Sequence, residues 1–239
     1  MSAVPVAYDE LESYAHGVAA CTRCRLSQGR TQVVFGSGNA NADVMFVGEA
    51  PGFHEDKQGL PFVGQAGKLL EKLLEGIGMS RADVYIANVL KCRPPGNRDP
   101  QPDEIEACES HLFKQIELIQ PTVVATLGNF ATKLLSGRPL GVTRVHGQAR
   151  RATFGDHQTV LFPLYHPAAA LYNARLRPEL EADIARIPAL LRHLDGLTGQ
   201  ASAAPIELPP APPPAPVRTP EPEPELVAAA AGEEQLGLF

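Results

Sequence analysis

Residues 44–64 read VMFVGEAPGFHEDKQGLPFVG, and a change of character inside this stretch decides the fold. Val44, Met45, Phe46 and Val47 form a short, wholly apolar run, the pattern of a strand buried on both faces. The stretch from Gly48 to Gly64 then carries four glycines, two prolines and three acids. Backbone of that composition turns sharply and admits a close ligand, so it reads as a ligand loop at the carboxyl end of a strand. It does not suit a nucleoside triphosphate. No Lys-Ser or Lys-Thr follows the glycines, Gly-x-Gly-x-x-Gly is missing, and a helix is expected only near Ala66.

Working outward, Val84–Leu90, Thr122–Leu127 and Val160–Leu164 repeat the apolar, β-branched pattern. Helical periodicity fills the gaps. Leu69, Leu70, Leu73, Leu74 and Ile77 share one face, with Gly78 as a stop, and Ile105, Leu112, Ile116 and Ile119 do the same behind Pro102. A last helix is expected from Pro178 toward Leu194, kinked or split at Pro188. Alternation of this kind predicts an α/β fold: a three-layer α/β/α sandwich around a short, mainly parallel four-stranded sheet. Ligands in such folds bind beyond the carboxyl ends of the strands. The loop after Val47, the segment Asn88–Pro100 and the pair His166-Pro167 all fall there.

The chain has 239 residues and a net charge of −6. That length allows one domain with a real core plus a tail. No secretory signal and no apolar run of membrane-spanning length is present, so a cytoplasmic protein is expected. Six glutamates and one arginine place −5 of the charge in residues 201–239. The remainder is almost neutral and carries two basic groups, Lys91, Arg93 and Arg98, then Arg144, Arg150 and Arg151, which suit a phosphate backbone. Ten prolines lie between Pro205 and Pro224. The chain therefore divides into a globular domain over residues 1–198, an acidic proline-rich linker expected to be disordered over 199–234, and a short peptide over 235–239.

In a cytosolic chain the four cysteines, Cys21, Cys24, Cys92 and Cys108, read as metal ligands before they read as disulfides. By spacing alone a structural zinc site fits them.

GEAPG, GLPFVGQAGKLL, YIANVLKCRPPGNRDP and LYHPAAALYN, with the four cysteines in this order, closely resemble the family 4 uracil-DNA glycosylases across residues 11–195. The resemblance implies a monofunctional enzyme of base-excision repair. It would flip uracil out of DNA and hydrolyse its N-glycosidic bond, leaving an abasic site. It implies one 4Fe–4S cluster on Cys21, Cys24, Cys92 and Cys108 in place of zinc. Asn88 becomes the reader of the uracil edge, since one amide offers a donor for O4 and an acceptor for N3–H. Phe62 becomes the stacking platform, and His166 a neutral donor to the developing charge on O2. Glu49, Ala50 and Pro51 match uracil-contacting positions. A better-known branch of the superfamily has an aspartate at the position of Ala50, so the acid that positions water is open between Glu49, the preferred candidate, and Asp56. Lys91, Arg93, Arg144 and Leu171 are candidate DNA contacts, with Leu171 and Tyr172 able to wedge into the vacated stack. Pro94–Asp103 holds neither a histidine nor a basic insertion, which argues against covalent capture of the sugar. A mismatch-specific thymine or uracil glycosylase and a catalytically poor iron–sulfur DNA-binding module are the competing readings.

The peptide Gln235-Leu236-Gly237-Leu238-Phe239 resembles the bacterial sliding-clamp-binding motif, from which Gly237 departs. A bacterial sliding clamp is therefore an expected partner, through Gln235, Leu236, Leu238 and Phe239, for a protein otherwise expected to be a monomer.

Overall fold

A computed structural model of the chain describes residues 6–195. The linker 199–234 and the peptide 235–239, with everything expected of them, lie outside the described residues. The strands are β1 (Ser37–Gly38), β2 (Val44–Gly48), β3 (Tyr85–Asn88), β4 (Val123–Leu127), β5 (Arg150–Phe154) and β6 (His157–Leu164). The helices are α1 (Val6–Ala19), α2 (Phe53–Gln58), α3 (Gln65–Glu75), α4 (Pro102–Ile119), α5 (Asn129–Ser136), α6 (Val142–Val145), α7 (Pro167–Tyr172), α8 (Leu176–Ile184) and α9 (Ile187–Asp195). Among the described residues no helix is long and apolar enough to cross a membrane.

One sheet runs in the order β1-β3-β2-β4-β6-β5. The expected four strands are its middle, β3-β2-β4-β6, and they are parallel throughout. The expected strand number is corrected from four to six by two antiparallel edges: β1 pairs with β3, and β5 pairs with β6. Alternation along each strand divides the core. Val44 and Phe46 face α3, α8 and α9 through Leu70, Leu74, Leu180 and Leu190. Met45 and Val47 face α4 and α5 through Leu112, Ile116 and Leu135. Each fully buried Leu or Phe side chain adds on the order of 1.5–3 kcal/mol, and both layers contribute to holding the short strands in place.

Two helix boundaries follow from local chemistry. The expected last helix is two, α8 and α9, divided at Ala185 and Arg186 ahead of Pro188. Helix α4 starts on Pro102 with a reciprocal cap between Gln101 and Glu104. Glu104, fully buried, also takes a two-pronged bond from Arg98 at 2.9 and 2.6 Å, which ties the loop after β3 to the start of α4. Since the chain passes from β2 to β3 on one side and then to β4 on the other, the carboxyl ends of β2, β3, β4 and β6 surround the switch point of the sheet.

Candidate active site

The register of β2 on β3 sets Gly48 beside Asn88 at the ends of the two strands. Asn88 is 2% exposed, and its Oδ1 is buried with no hydrogen-bond partner among the described residues. Gly48 has to be a glycine. A methyl group there would overlap Asn88 Oδ1 and stand 2.6 Å from the Phe62 ring. Phe62 itself holds φ +54°, a left-handed conformation that costs a non-glycine residue energy. Several bonds impose it. Arg81 donates to the carbonyls of Phe62 (2.9 Å) and Pro61 (2.6 Å), and the buried Glu55 carboxylate accepts from the Val63 and Gly64 amides at 2.9 and 2.8 Å. Helix α3 presses on the same carbonyl, for a Cβ at Gly67 would collide with Phe62 O.

His166 comes from the end of β6 as the cap of α7, with Pro167 at the first helical position. Its ring lies 5.6 Å from that of Phe62 at an angle of 26°. Nδ1 accepts the Ala168 amide at 3.1 Å, which leaves the ring proton on Nε2. Burial pushes its pKa down to about 4, so the ring is neutral at neutral pH. Gly128, at φ +89°, brings the end of β4 against it; a Cβ there would lie 3.2 Å from His166 Cβ. The half-buried Glu49 follows Gly48. Burial, and then the nearby Asp99 charge, push its carboxyl up to about 7. The site thus holds an unsatisfied amide oxygen, a neutral N–H donor, an aromatic wall and an acid poised near neutrality.

On the other side of the sheet the four cysteines line one cavity with Val18, Arg23, Arg30, Val33, Lys91, Ala107 and His111. Three of the four sulfurs take part in hydrogen bonds. Arg30 reaches Cys92 Sγ and the Lys91 amide reaches Cys108 Sγ, both at 3.3 Å. His111 bridges Cys21 Sγ (3.5 Å) and the Tyr14 hydroxyl (2.7 Å). Burial raises the Cys92 thiol and raises that of Cys108 to about 11.

The model of the Uracil DNA glycosylase superfamily matches residues 35–187. The type-4 uracil-DNA glycosylase of Sulfurisphaera tokodaii is 47% identical over 184 residues, covering 75% of this chain and 84% of that protein. Those of Saccharolobus solfataricus and Archaeoglobus fulgidus are 45% and 43% identical, each over 75% of this chain and over 85% and 92% of their own length. The chain belongs to the type-4 uracil-DNA glycosylases.

Within this member of the family, Asn88, Phe62 and His166 are brought together around Gly48 at the switch point, and the Glu49–Pro51 segment leaves it directly after Gly48. Two readings change. Lys91 cannot contact DNA: it is 1% exposed, and its ammonium donates to the Asn88 carbonyl (2.8 Å) and to Gln115 Oε1. Desolvation lowers its pKa to about 8. Asp56 is committed elsewhere, accepting the Thr31 amide at 2.8 Å while 3% exposed. Arg93 is half-buried, with its guanidinium 5.1 Å over the half-exposed Phe53 ring. Arg144 is exposed on α6, and Leu171 and Tyr172 are 48% and 93% exposed on α7. Arg150 and Arg151 line a separate cavity of about 270 Å³ beside α5. Sequence reasoning missed Glu55 and Arg81, the residues that force Phe62 into place. A phenylalanine squeezed between Pro61 and a glycine-rich helix start was the available signal.

Proposed function

We infer that the chain is a uracil-DNA glycosylase: it binds a uracil flipped out of DNA, hydrolyses the bond between uracil N1 and the sugar, and leaves an abasic site that starts base-excision repair. The observation that carries this is the buried, unpartnered Oδ1 of Asn88. A buried acceptor without a donor costs about 1–3 kcal/mol, and uracil N3–H supplies the missing donor. The Asn88 amide N–H₂ then faces O4. Cytosine, with its donor and acceptor exchanged at these positions, leaves the amide mispaired.

The base stacks on Phe62 in this reading. As the C1′–N1 bond breaks, its electron pair passes to the base and spreads onto O2, where His166 Nε2–H donates. A neutral donor held in place stabilises that charge without transferring a proton. Water adds to the cationic C1′, oriented by Glu49, which as a carboxylate also opposes the positive sugar. Arg93, Arg144 and the apolar tip formed by Leu171 and Tyr172 are the proposed DNA contacts, the last filling the space the flipped base leaves. The four cysteines hold a 4Fe–4S cluster. The donor set fits it: four thiols line one cavity, with N–H donors on the sulfurs of Cys92 and Cys108, as suits a cluster in which each thiolate binds a different iron. When bound, the cluster supplies a rigid, charged cross-link between the N-terminal segment, the loop after Asn88 and α4. The peptide 235–239 is proposed to engage a sliding clamp, and its deletion should abolish clamp retention while sparing excision.

The deciding experiment incubates iron-loaded protein with end-labelled oligonucleotides carrying U, T or C at one position, then treats them with alkali. Strand scission only at U is expected. Scission at T opposite G would assign a mismatch-specific enzyme, and no scission would leave a DNA-binding module.

A further inference from the structure

Lys91 is an anomaly in a core. Its side chain is among the largest that are fully buried, and its ammonium meets two neutral oxygens, with no carboxylate at ion-pair distance among the described residues. A buried ammonium without a counter-charge is costly, and a methionine would fill the same space. What the ammonium touches gives it a purpose. It donates to the main-chain carbonyl of Asn88 at 2.8 Å. The other end of that same peptide group, the Val89 amide, donates to Gly48 O at 3.0 Å. The plane joining Asn88 to Val89 is therefore pinned at both ends, and that plane sets the direction in which the Asn88 side chain leaves the backbone.

The second acceptor of the ammonium is Gln115 on α4, seven residues and hence two turns beyond Cys108 on the same helix face. Gln115 is fixed in turn by donating to Phe35 O (2.9 Å) and Tyr85 Oη (3.3 Å). Lys91 also lines the cysteine cavity, and its own amide donates to Cys108 Sγ. One residue thus touches the cysteine cavity on one side and the back of the base pocket on the other.

We propose that Lys91 is a positioning residue for base recognition: it locks the Asn88 peptide from behind, from a place between the cysteine cavity and the base pocket. This rests on the assignment of Asn88 to uracil and of the cysteines to the cluster.

The test uses full-length, iron-loaded Lys91→Met. Iron per chain and the visible absorbance of the cluster establish loading. Calorimetry gives the affinity for free uracil, and excision kinetics separate kcat from KM. At full loading, kcat should fall by about 10–100-fold with KM for uracil-containing DNA within about 2-fold, the pattern of an interaction made at the reacting base. Affinity for free uracil should fall in parallel, while affinity for abasic-site DNA holds. A loaded variant with wild-type kcat and uracil affinity overturns the proposal, as does a rise in KM alone. Should Lys91→Met fail to fold or to load, Gln115→Leu removes the other acceptor. It is expected to lower kcat by about 3–10-fold with the cluster retained, and no change overturns the proposal. Asn88→Ala run alongside separates the two levels. If it excises uracil normally, the assignment of the base pocket falls; if it is inactive while loaded Lys91→Met is normal, only the role of Lys91 falls.

Discussion

The cysteine cavity and the base pocket lie back to back across the end of β3, and they treat buried polar groups in opposite ways. Around the cysteines the polar groups are paired. Arg30 is shared between Cys92 Sγ and the Cys21 carbonyl, His111 bridges Tyr14 and Cys21, and Lys91 has two oxygen acceptors. In the base pocket Asn88 Oδ1 is left open, Phe62 is held in a strained conformation, and the His166 proton sits on the nitrogen away from its backbone partner. The difference separates scaffold from chemistry. A region that satisfies itself holds shape, and a region kept unsatisfied at some cost waits for a ligand.

The largest effect should come from closing the unsatisfied side. Asn88→Ala removes the reading amide and should lower kcat/KM on uracil by about 10³-fold or more, measured by single-turnover excision. The fold should be unharmed, because Oδ1 has no protein partner to lose. A large drop in melting temperature would break the comparison by making Asn88 a structural residue. His166→Ala should follow at about 10²–10³-fold. The wild-type rate should also show no loss between pH 5 and 7 attributable to this ring, since its pKa of about 4 keeps it neutral there. Gly48→Ala probes the same pocket sterically. Its methyl would overlap the space of Asn88 and Phe62, and a loss of about 10–100-fold is expected from a displacement of that size, while iron content stays at the wild-type level.

The same contrast explains what was legible in the sequence. The four central strands announce themselves because burial on both faces demands continuous apolar runs such as Val44–Val47. The two edge strands do not: β1 is only Ser37 and Gly38, and β5 begins with two arginines and is only half-buried. The opening loop was legible as a ligand loop, but helix α2 inside it was hidden between Gly52 and Gly59, whose composition resembles a turn. The charges were the hardest. Glu55, Asp56, Lys91 and Arg98 look like solvated or DNA-facing groups in one dimension, yet each spends its charge on main-chain amides, a carbonyl or a buried carboxylate. Spacing reports that charged residues are near one another; only the fold decides which way they point.

Glu49 offers the smallest and most discriminating test, because it stands between the two kinds of region. It is half-buried, and desolvation with the Asp99 charge pushes its carboxyl up to about 7. If its carboxylate orients the water, excision should rise with pH through about 7 and level off above it. Glu49→Gln should flatten that limb and lower the plateau by about 10–100-fold. Stability supplies the sign check. A carboxyl raised in the folded state favours folding while protonated, so this contribution is complete below its ordinary value of 4.5 and is lost as pH rises through about 7. The glutamine variant has nothing to lose. Its melting temperature should equal the wild-type value near pH 4 and exceed it at pH 8 by on the order of 2–4 °C, a modest gain because the group is partly screened by solvent. A variant that gains stability at pH 8 and loses the pH-dependent limb would place Glu49 with the unsatisfied chemistry of the pocket. One that keeps the limb would assign the titration to another group, and Glu49 would join Glu55 and Asp56 as scaffold.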